Sequence, residues 1–176
     1  TDCVFSGKKG EYSEEDNPDA NDVYGLSKLM GEVVDGNALT IRTSIIGHEL
    51  RNKSSLVEWF LSQEEEVKGF KNAIFSGLPT VEIARVLEKY VFPNPNLKGL
   101  YHLSANPISK YDLLVNIAEQ YGKNILITPE FSVDIDRSLN SERFRVTTGY
   151  QPAPWHQLVS EMYRTREMIG GYSAER

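Results

Sequence analysis

The chain of 176 residues has a single cysteine, Cys3. No disulfide can close within it and no cysteine-built zinc site can form. A reducing compartment is therefore expected, with the cytoplasm as the default. Long apolar runs are missing as well. None approaches the roughly 18 residues that span a bilayer, so no membrane partner is expected. The start has neither the charged region nor the apolar region of a signal peptide. It also lacks an initiator Met, which reads as a fragment or a processed chain. Positive charge is in deficit, with 19 Lys plus Arg against 25 Asp plus Glu and a net charge of −6. A general nucleic-acid binder carries a basic stripe, so no nucleic-acid partner is expected. There are 13 glycines, yet no G-x-G-x-x-G occurs. Gly170-Gly171 follows a helical pattern rather than a strand, so it cannot serve as a phosphate-binding turn.

What is present is the composition of one compact domain, 40% hydrophobic and 25% charged, with enough residues for a sizeable core. Thr1 to Phe5 reads as the end of a buried strand. Ser6 to Asp22, rich in Gly, Asp, Glu, Asn and Pro, reads as a long surface loop of the kind that tends to be functional. Val23 to Val34 reads as a helix capped by Asp22, with Gly36 past its end. Leu39 to Ile46 is a strand and Ser55 to Glu66 a helix. Phe70 to Phe75 is a short strand or hairpin arm. Thr80 is expected to cap a helix from Val81 to Phe92, which Pro93 and Pro95 end.

Leu100 to Leu103 is a strand. Ser109 and Asp112 resemble a capping box ahead of a helix closed by Gly122. Ile125 to Thr128 is a strand, Asn140 a cap, and Trp155 to Met168 a last amphipathic helix. Four or five strands alternating with five or six helices indicate an α/β protein with parallel pairing.

The chemistry sits near the start. Tyr24 and Lys28, four apart on a helix, share one face. An ammonium beside a phenol favours the phenolate, which suits proton donation to a developing alkoxide. A hydroxyl such as Thr1 can hold the same substrate oxygen in place. A hydride must come from a nicotinamide, because no side chain supplies one. The pentad alone is weak. With nine Tyr and ten Lys, chance yields it roughly 0.5 times in such a chain, and a packed Tyr beside an exposed Lys explains it equally well.

Context adds to it. Thr1-Asp2-Cys3-Val4-Phe5-Ser6-Gly7 followed by Tyr24-Gly25-Leu26-Ser27-Lys28-Leu29-Met30-Gly31-Glu32 resembles the extended short-chain dehydrogenase/reductase superfamily. Within it the chain is most similar to the dTDP-4-dehydrorhamnose reductase group of sugar-nucleotide reductases. Ile41-Arg42-Thr43-Ser44, Gly77-Leu78-Pro79-Thr80, Gly99-Leu100-Tyr101-His102-Leu103, Ser138-Leu139-Asn140-Ser141-Glu142-Arg143-Phe144 and Gly149-Tyr150-Gln151-Pro152 extend the likeness to about Met168.

The resemblance implies the C-terminal part of a Rossmann-like α/β fold with a small substrate-binding region. The dinucleotide-binding half would lie before Thr1. Residues 1–50 would end the Rossmann-like domain and carry the Tyr-x-x-x-Lys helix. Residues 51–176 would form mainly the substrate-binding region, with some segments returning to the core. It implies Tyr24 as general acid/base, Lys28 as the ligand of the nicotinamide ribose, and Thr1 as the hydroxyl that orients the carbonyl. Thr43 and Ser44 would border the nicotinamide, and Ile45 to His48 the sugar. The implied activity is reduction of a 4-keto nucleotide-diphosphate sugar with NADP or NAD, in surface polysaccharide synthesis. A homodimer is allowed. The chain alone is expected to be inactive.

Some positions depart from the group. Ile45 and Ile46 stand where an aromatic often follows Arg-Thr-Ser, which keeps a related epimerase/reductase open. A non-catalytic regulatory subunit of the same fold is a further alternative. No metal is expected. His48 suits either a substrate hydroxyl or a plain surface position. Arg137 suits a diphosphate, or equally a salt bridge to Asp136 or Glu142. His102 reads as a core residue, His156 shows no ligand spacing, Trp155 reads as packing, and Trp59 as core or partner surface.

Overall fold

Apolar residues at helical spacing explain the best-formed element. Ser109 accepts the Asp112 amide at 3.0 Å, which starts helix α4, Lys110–Tyr121. Leu113, Leu114 and Ile117 then fall on one buried stripe. Gly122 ends the helix in the left-handed conformation at φ 62°, where a side chain would be strained. The structure, a computed structural model, describes residues 1–33, 35–49 and 54–171, without the side chains of 167–171.

In chain order the elements are α1 (Val23–Met30), β1 (Leu39–Arg42), β2 (Ile45–Ile46), α2 (Leu56–Ser62), β3 (Val67–Phe75), β4 (Leu78–Pro79) and α3 (Thr80–Val86). A π-helical turn, Leu87–Val91, continues α3. There follow β5 (Gly99–His102), β6 (Ile108–Ser109), α4, β7 (Ile127–Asp136), α5 (Glu142–Thr148) and α6 (Trp155–Gly171).

The pairing is largely parallel, as the alternation of strands and helices predicts. β1 pairs with β5, Leu39 opposite Gly99, and β2 pairs with β4. β3 is the centre of a three-stranded sheet, parallel to β7 and antiparallel to β6. One large core gathers Val57, Phe60, Leu78, Val86, Leu103, Leu113, Ile117, Phe144, Leu158 and Met162. A small second cluster joins Val4, Phe5, Tyr12 and Leu139, with Leu29 packed against it.

Several expectations change. Thr1 to Phe5 is a turn rather than a strand end. The Phe5 amide donates to the Asp2 carbonyl at 3.0 Å, and that local closure replaces a ladder. The predicted strand Leu39 to Ile46 breaks at Thr43-Ser44 into two strands with different partners. Helix α1 ends at Met30, with the Gly31 amide on the Leu29 and Lys28 carbonyls; Val34 lies outside the described residues.

Thr80 is inside α3 rather than at its cap. Strand β4 runs straight into that helix, and Pro79 takes the cap position with no side-chain bond. Phe70 to Phe75 is no hairpin arm but the end of a longer parallel strand, and of the predicted strand Ile125 to Thr128 only Ile127 and Thr128 are paired, as the beginning of another. The pairing of β3 with β7 joins residues about 60 apart, as in Val67 opposite Ile127. Pro129 is accommodated because β7 is an edge strand. Asn140 behaves as foreseen in part, since its Oδ1 accepts the Glu142 amide at 2.9 Å.

Candidate active site

Asp22 opens α1 by accepting the Gly25 amide at 2.8 Å. Gly25 is the buried residue of this helix. A Cβ there would stand 2.4 Å from the Cys3 carbonyl oxygen and 2.6 Å from the Ala20 Cβ. Glycine in the Tyr-Gly-x-Ser-Lys segment is therefore what lets α1 lie directly on the Thr1–Phe5 turn. That contact fixes the helix beside Thr1 and turns Tyr24 and Lys28 outward. Tyr24 is 55% exposed, and the Lys28 Nζ lies 5.4 Å from the centre of its ring. Ser27 donates its hydroxyl to the Tyr24 carbonyl at 2.8 Å, which makes that serine a backbone tie.

Thr1 accepts the Cys3 amide on its Oγ1 at 3.2 Å and lies 3.5 Å from the buried Asp2 carboxylate. Its hydroxyl thus holds the turn in addition to any role toward a ligand. Burial pushes the Cys3 thiol above its ordinary value. Arg137 reaches the same turn. Its Nε donates to the Phe5 carbonyl at 2.9 Å, and its Nη1 is 3.9 Å from the Cys3 Sγ. Neither Asp136 nor Glu142 pairs with it among the described residues.

Thr43 and Ser44 stand in the break between β1 and β2, at the carboxyl end of β1. In open α/β sheets that is the end where ligands bind. The Ser44 carbonyl accepts the Leu78 amide at 2.9 Å. His48 lies past the carboxyl end of β2, and both its ring nitrogens are taken. Nδ1 meets the Glu58 carboxylate at 2.6 Å and Nε2 the Tyr121 hydroxyl at 2.7 Å. As placed, neither nitrogen is free for a substrate hydroxyl, because the neighbouring helices α2 and α4 supply closer partners. Nor is His48 a plain surface residue, its side chain being 9% exposed.

One group has no counterpart in the sequence reading. Glu32, just beyond α1, holds Arg42 through two bonds, of 2.7 Å to Nε and 2.8 Å to Nη2. Arg42 is buried, lies 5.2 Å from the centre of the Phe5 ring, and places Nη1 3.3 Å from the His102 Nε2. His102 Nδ1 lies 2.9 Å from the Tyr12 carbonyl, to which it donates. Burial, first of all, lowers the His102 pKa below its ordinary 6.5, so it is the neutral form that sits beside Arg42. This chain of bonds ties the end of α1 to β1, to β5 and to the loop before α1. The pairing of Gly31-Glu32 with Ile41-Arg42 in one segment pattern is the trace it leaves in the sequence.

His102 is a core residue, as expected, and Trp155 packs, its Nε1 donating to the Asn106 carbonyl at 2.7 Å. His156 is exposed and Trp59 partly so. Among the described residues no group of three or more His, Cys, Asp or Glu is arranged to hold a metal. No helix among them is long and apolar enough to cross a membrane.

A parallel α/β unit that presents a Tyr and a Lys on one exposed helix face has the architecture of the substrate-binding part of an extended short-chain dehydrogenase/reductase. The chain belongs to the RmlD substrate binding domain family, whose model matches residues 1–168. It is similar to the spore coat polysaccharide biosynthesis protein SpsK of Bacillus subtilis, 29% identical over 94% of this chain and 62% of that protein. It resembles the structure of a hypothetical dTDP-4-dehydrorhamnose reductase from Sulfolobus tokodaii at TM-score 0.71 and 27% identity, over 88% of this chain and 59% of that one. A dTDP-4-dehydrorhamnose reductase from Bacillus anthracis in complex with NADP shares the fold at TM-score 0.79 and 19% identity, over 93% and 63%. The chain thus spans less than two thirds of these relatives.

Proposed function

We propose that this chain is the proton-donating and substrate-binding portion of an NAD(P)H-dependent reductase of a 4-keto nucleotide-diphosphate sugar. The product would serve surface polysaccharide synthesis, in keeping with the name of the Bacillus subtilis relative, a spore coat polysaccharide biosynthesis protein. The observation that carries the reading is the outward face of α1. Gly25 seats the helix on the Thr1–Phe5 turn, and Tyr24 and Lys28 point away from it together. An exposed phenol and ammonium on one face suit a carbonyl oxygen and a ribose hydroxyl. NAD(P)H, when bound, supplies the hydride. No glycine-rich phosphate turn occurs in this sequence, so the pyrophosphate would be held by residues outside it.

In this reading Tyr24 delivers a proton to the oxygen of the reduced carbonyl. Lys28 holds the ribose beside Tyr24. Thr1 fixes the substrate oxygen. Thr43 and Ser44 border the nicotinamide, and the segment after β2 borders the sugar. Residues 1–50 act as the end of the cofactor domain, and 51–176 mainly as the substrate region. The 176-residue chain by itself turns over nothing.

Replacing Tyr24 with Phe in the full-length protein tests the proposal. Loss of a proton donor is expected to lower kcat by about 10²- to 10⁴-fold while the nucleotide sugar still binds. An unchanged rate would instead favour a regulatory subunit. Reduction of a nucleotide sugar by the 176-residue chain alone would overturn the claim that it is inactive.

A further inference from the structure

The loop between β2 and α2 leaves the carboxyl end of a parallel strand, where α/β folds place their ligands. Its first side chain, His48, is engaged from both sides, by Glu58 on α2 at 2.6 Å and by Tyr121 at the end of α4 at 2.7 Å. The tyrosine is itself fixed. Its ring meets Tyr163 edge-on, with centroids 4.9 Å apart. The Arg166 guanidinium lies 4.0 Å from the centre of Tyr163.

The direction of the bonds follows from chemistry. Burial, the main cause, holds the Tyr121 phenol well above its ordinary value, so it keeps its proton. The Glu58 carboxylate only accepts, so His48 Nδ1 carries a hydrogen and donates to it. In the neutral imidazole Nε2 then accepts from the Tyr121 hydroxyl. Two helices, α2 and α4, are spent on one imidazole, and Tyr121 reaches it across 73 residues of sequence. An arrangement of that kind fixes a ring more tightly than packing alone, because losing one partner strands the others.

We propose that Tyr121, His48 and Glu58 form a positioning relay that sets the conformation of residues 45–49, where the chain leaves β2, and through it the affinity of the site for the nucleotide sugar. The proposal rests on the reductase reading above. The three residues act through the loop rather than on the reacting atoms. Binding of the sugar should depend on them, while proton transfer and cofactor affinity should not.

The test compares Tyr121→Phe and His48→Gln with Tyr150→Phe in the full-length protein. Tyr150 is an equally useful loss for stability, since its buried hydroxyl donates to Glu82 at 3.1 Å on another side of the core. Tyr121→Phe and His48→Gln are expected to raise KM for the nucleotide sugar about tenfold, with kcat and the KM for NADPH within about twofold. Amide exchange at residues 45–49 should quicken in both. Tyr150→Phe should lower the melting temperature with no change in sugar KM. An unchanged KM, unchanged exchange at 45–49, or the same KM rise in Tyr150→Phe would overturn the relay.

Calorimetry with dTDP-glucose separates the two ideas. If the wild type reduces no nucleotide sugar but binds dTDP-glucose, and Tyr121→Phe weakens that binding, the reductase reading falls and the relay stands. If the wild type does not bind dTDP-glucose, or Tyr121→Phe binds it equally well, the relay falls.

Discussion

Helices α1 and α4 follow the same local rules and end in opposite situations. Both begin at a polar cap, Asp22 and Ser109, and both carry apolar residues at helical spacing. In α4 those residues, Leu113, Leu114 and Ile117, are inside the large core. In α1 the side chains of Val23, Leu26 and Met30 face outward, with Val23 85% and Met30 87% exposed. Only Gly25 is buried, and Leu29 packs on the small cluster. The two helices are therefore held by different forces. Burial of apolar area holds α4. A cap, a close backbone contact and a buried ion pair hold α1. The helix that presents Tyr24 and Lys28 is thus the one that a single polar substitution can loosen.

The largest test of this contrast is Arg42→Ala. It leaves Glu32 without its bidentate partner next to the Phe5 cluster, and breaking such a buried pair costs about 3–5 kcal/mol. Urea unfolding measures the cost, and exchange at the α1 amides should report the loosening before exchange at α4 does. If α4 loosens first, the contrast is broken. Leu113→Ala comes next, with about 2–5 kcal/mol expected for a fully buried leucine. Leu26→Ala, on the outward face of α1, should stay within about 0.5 kcal/mol. A comparable loss for Leu26 would mean that this face is covered in the protein as tested.

Gly25→Ala ranks between Leu113→Ala and Leu26→Ala in stability, at about 1–3 kcal/mol for a methyl forced against a backbone oxygen. In activity it should matter more, because α1 can accept the methyl only by moving off the turn that carries Thr1. Circular dichroism and kcat together would separate the two effects.

Acid supplies the smallest and most selective test. His102 has a folded pKa below 6.5, lowered chiefly by burial. As pH falls through about 6.5 the unfolded chain gains a proton that the folded chain refuses, so stability falls with acid. The α4 cap responds lower. Despite its partial burial, the Ser109 hydroxyl and Lys71 hold the Asp112 carboxyl below its ordinary 3.8. Its contribution is complete above that value and is lost as pH falls through the folded pKa. Urea midpoints at pH 7 and pH 5 should therefore show a decline carried by the α1 side, which His102→Gln flattens.

What was legible in the sequence follows the same division. The cap and close of α4 are local chemistry, written in Ser109, Asp112 and Gly122, and they could be read directly. So could the shared face of Tyr24 and Lys28, and the parallel character of the sheet. The full length of β3 and β7 could not, because a parallel ladder between residues some 60 apart leaves no local pattern. Thr1–Phe5 reads as the end of a buried strand; Val4 and Phe5 are indeed fully buried, but burial alone does not tell a turn from a ladder. The sequence leaves His48 between a substrate hydroxyl and a surface position because its two partners, Glu58 and Tyr121, come from different helices and only the fold brings them together.

The loop that precedes α1 has one more consequence. The Tyr12 amide donates to the Ser138 carbonyl at 2.9 Å, and the Asn140 amide returns a bond to Tyr12 at 2.8 Å. The Glu11 amide bonds the Ser138 hydroxyl across a separation of 127 residues. Contacts of that range carry a high entropic cost of closure and form slowly. During synthesis, these bonds of Glu11 and Tyr12 cannot form until residues 138–140 leave the ribosome. The segment beside Tyr24 is therefore made early and secured late, and a chaperone that shields it over that interval would act on folding yield without touching the finished site.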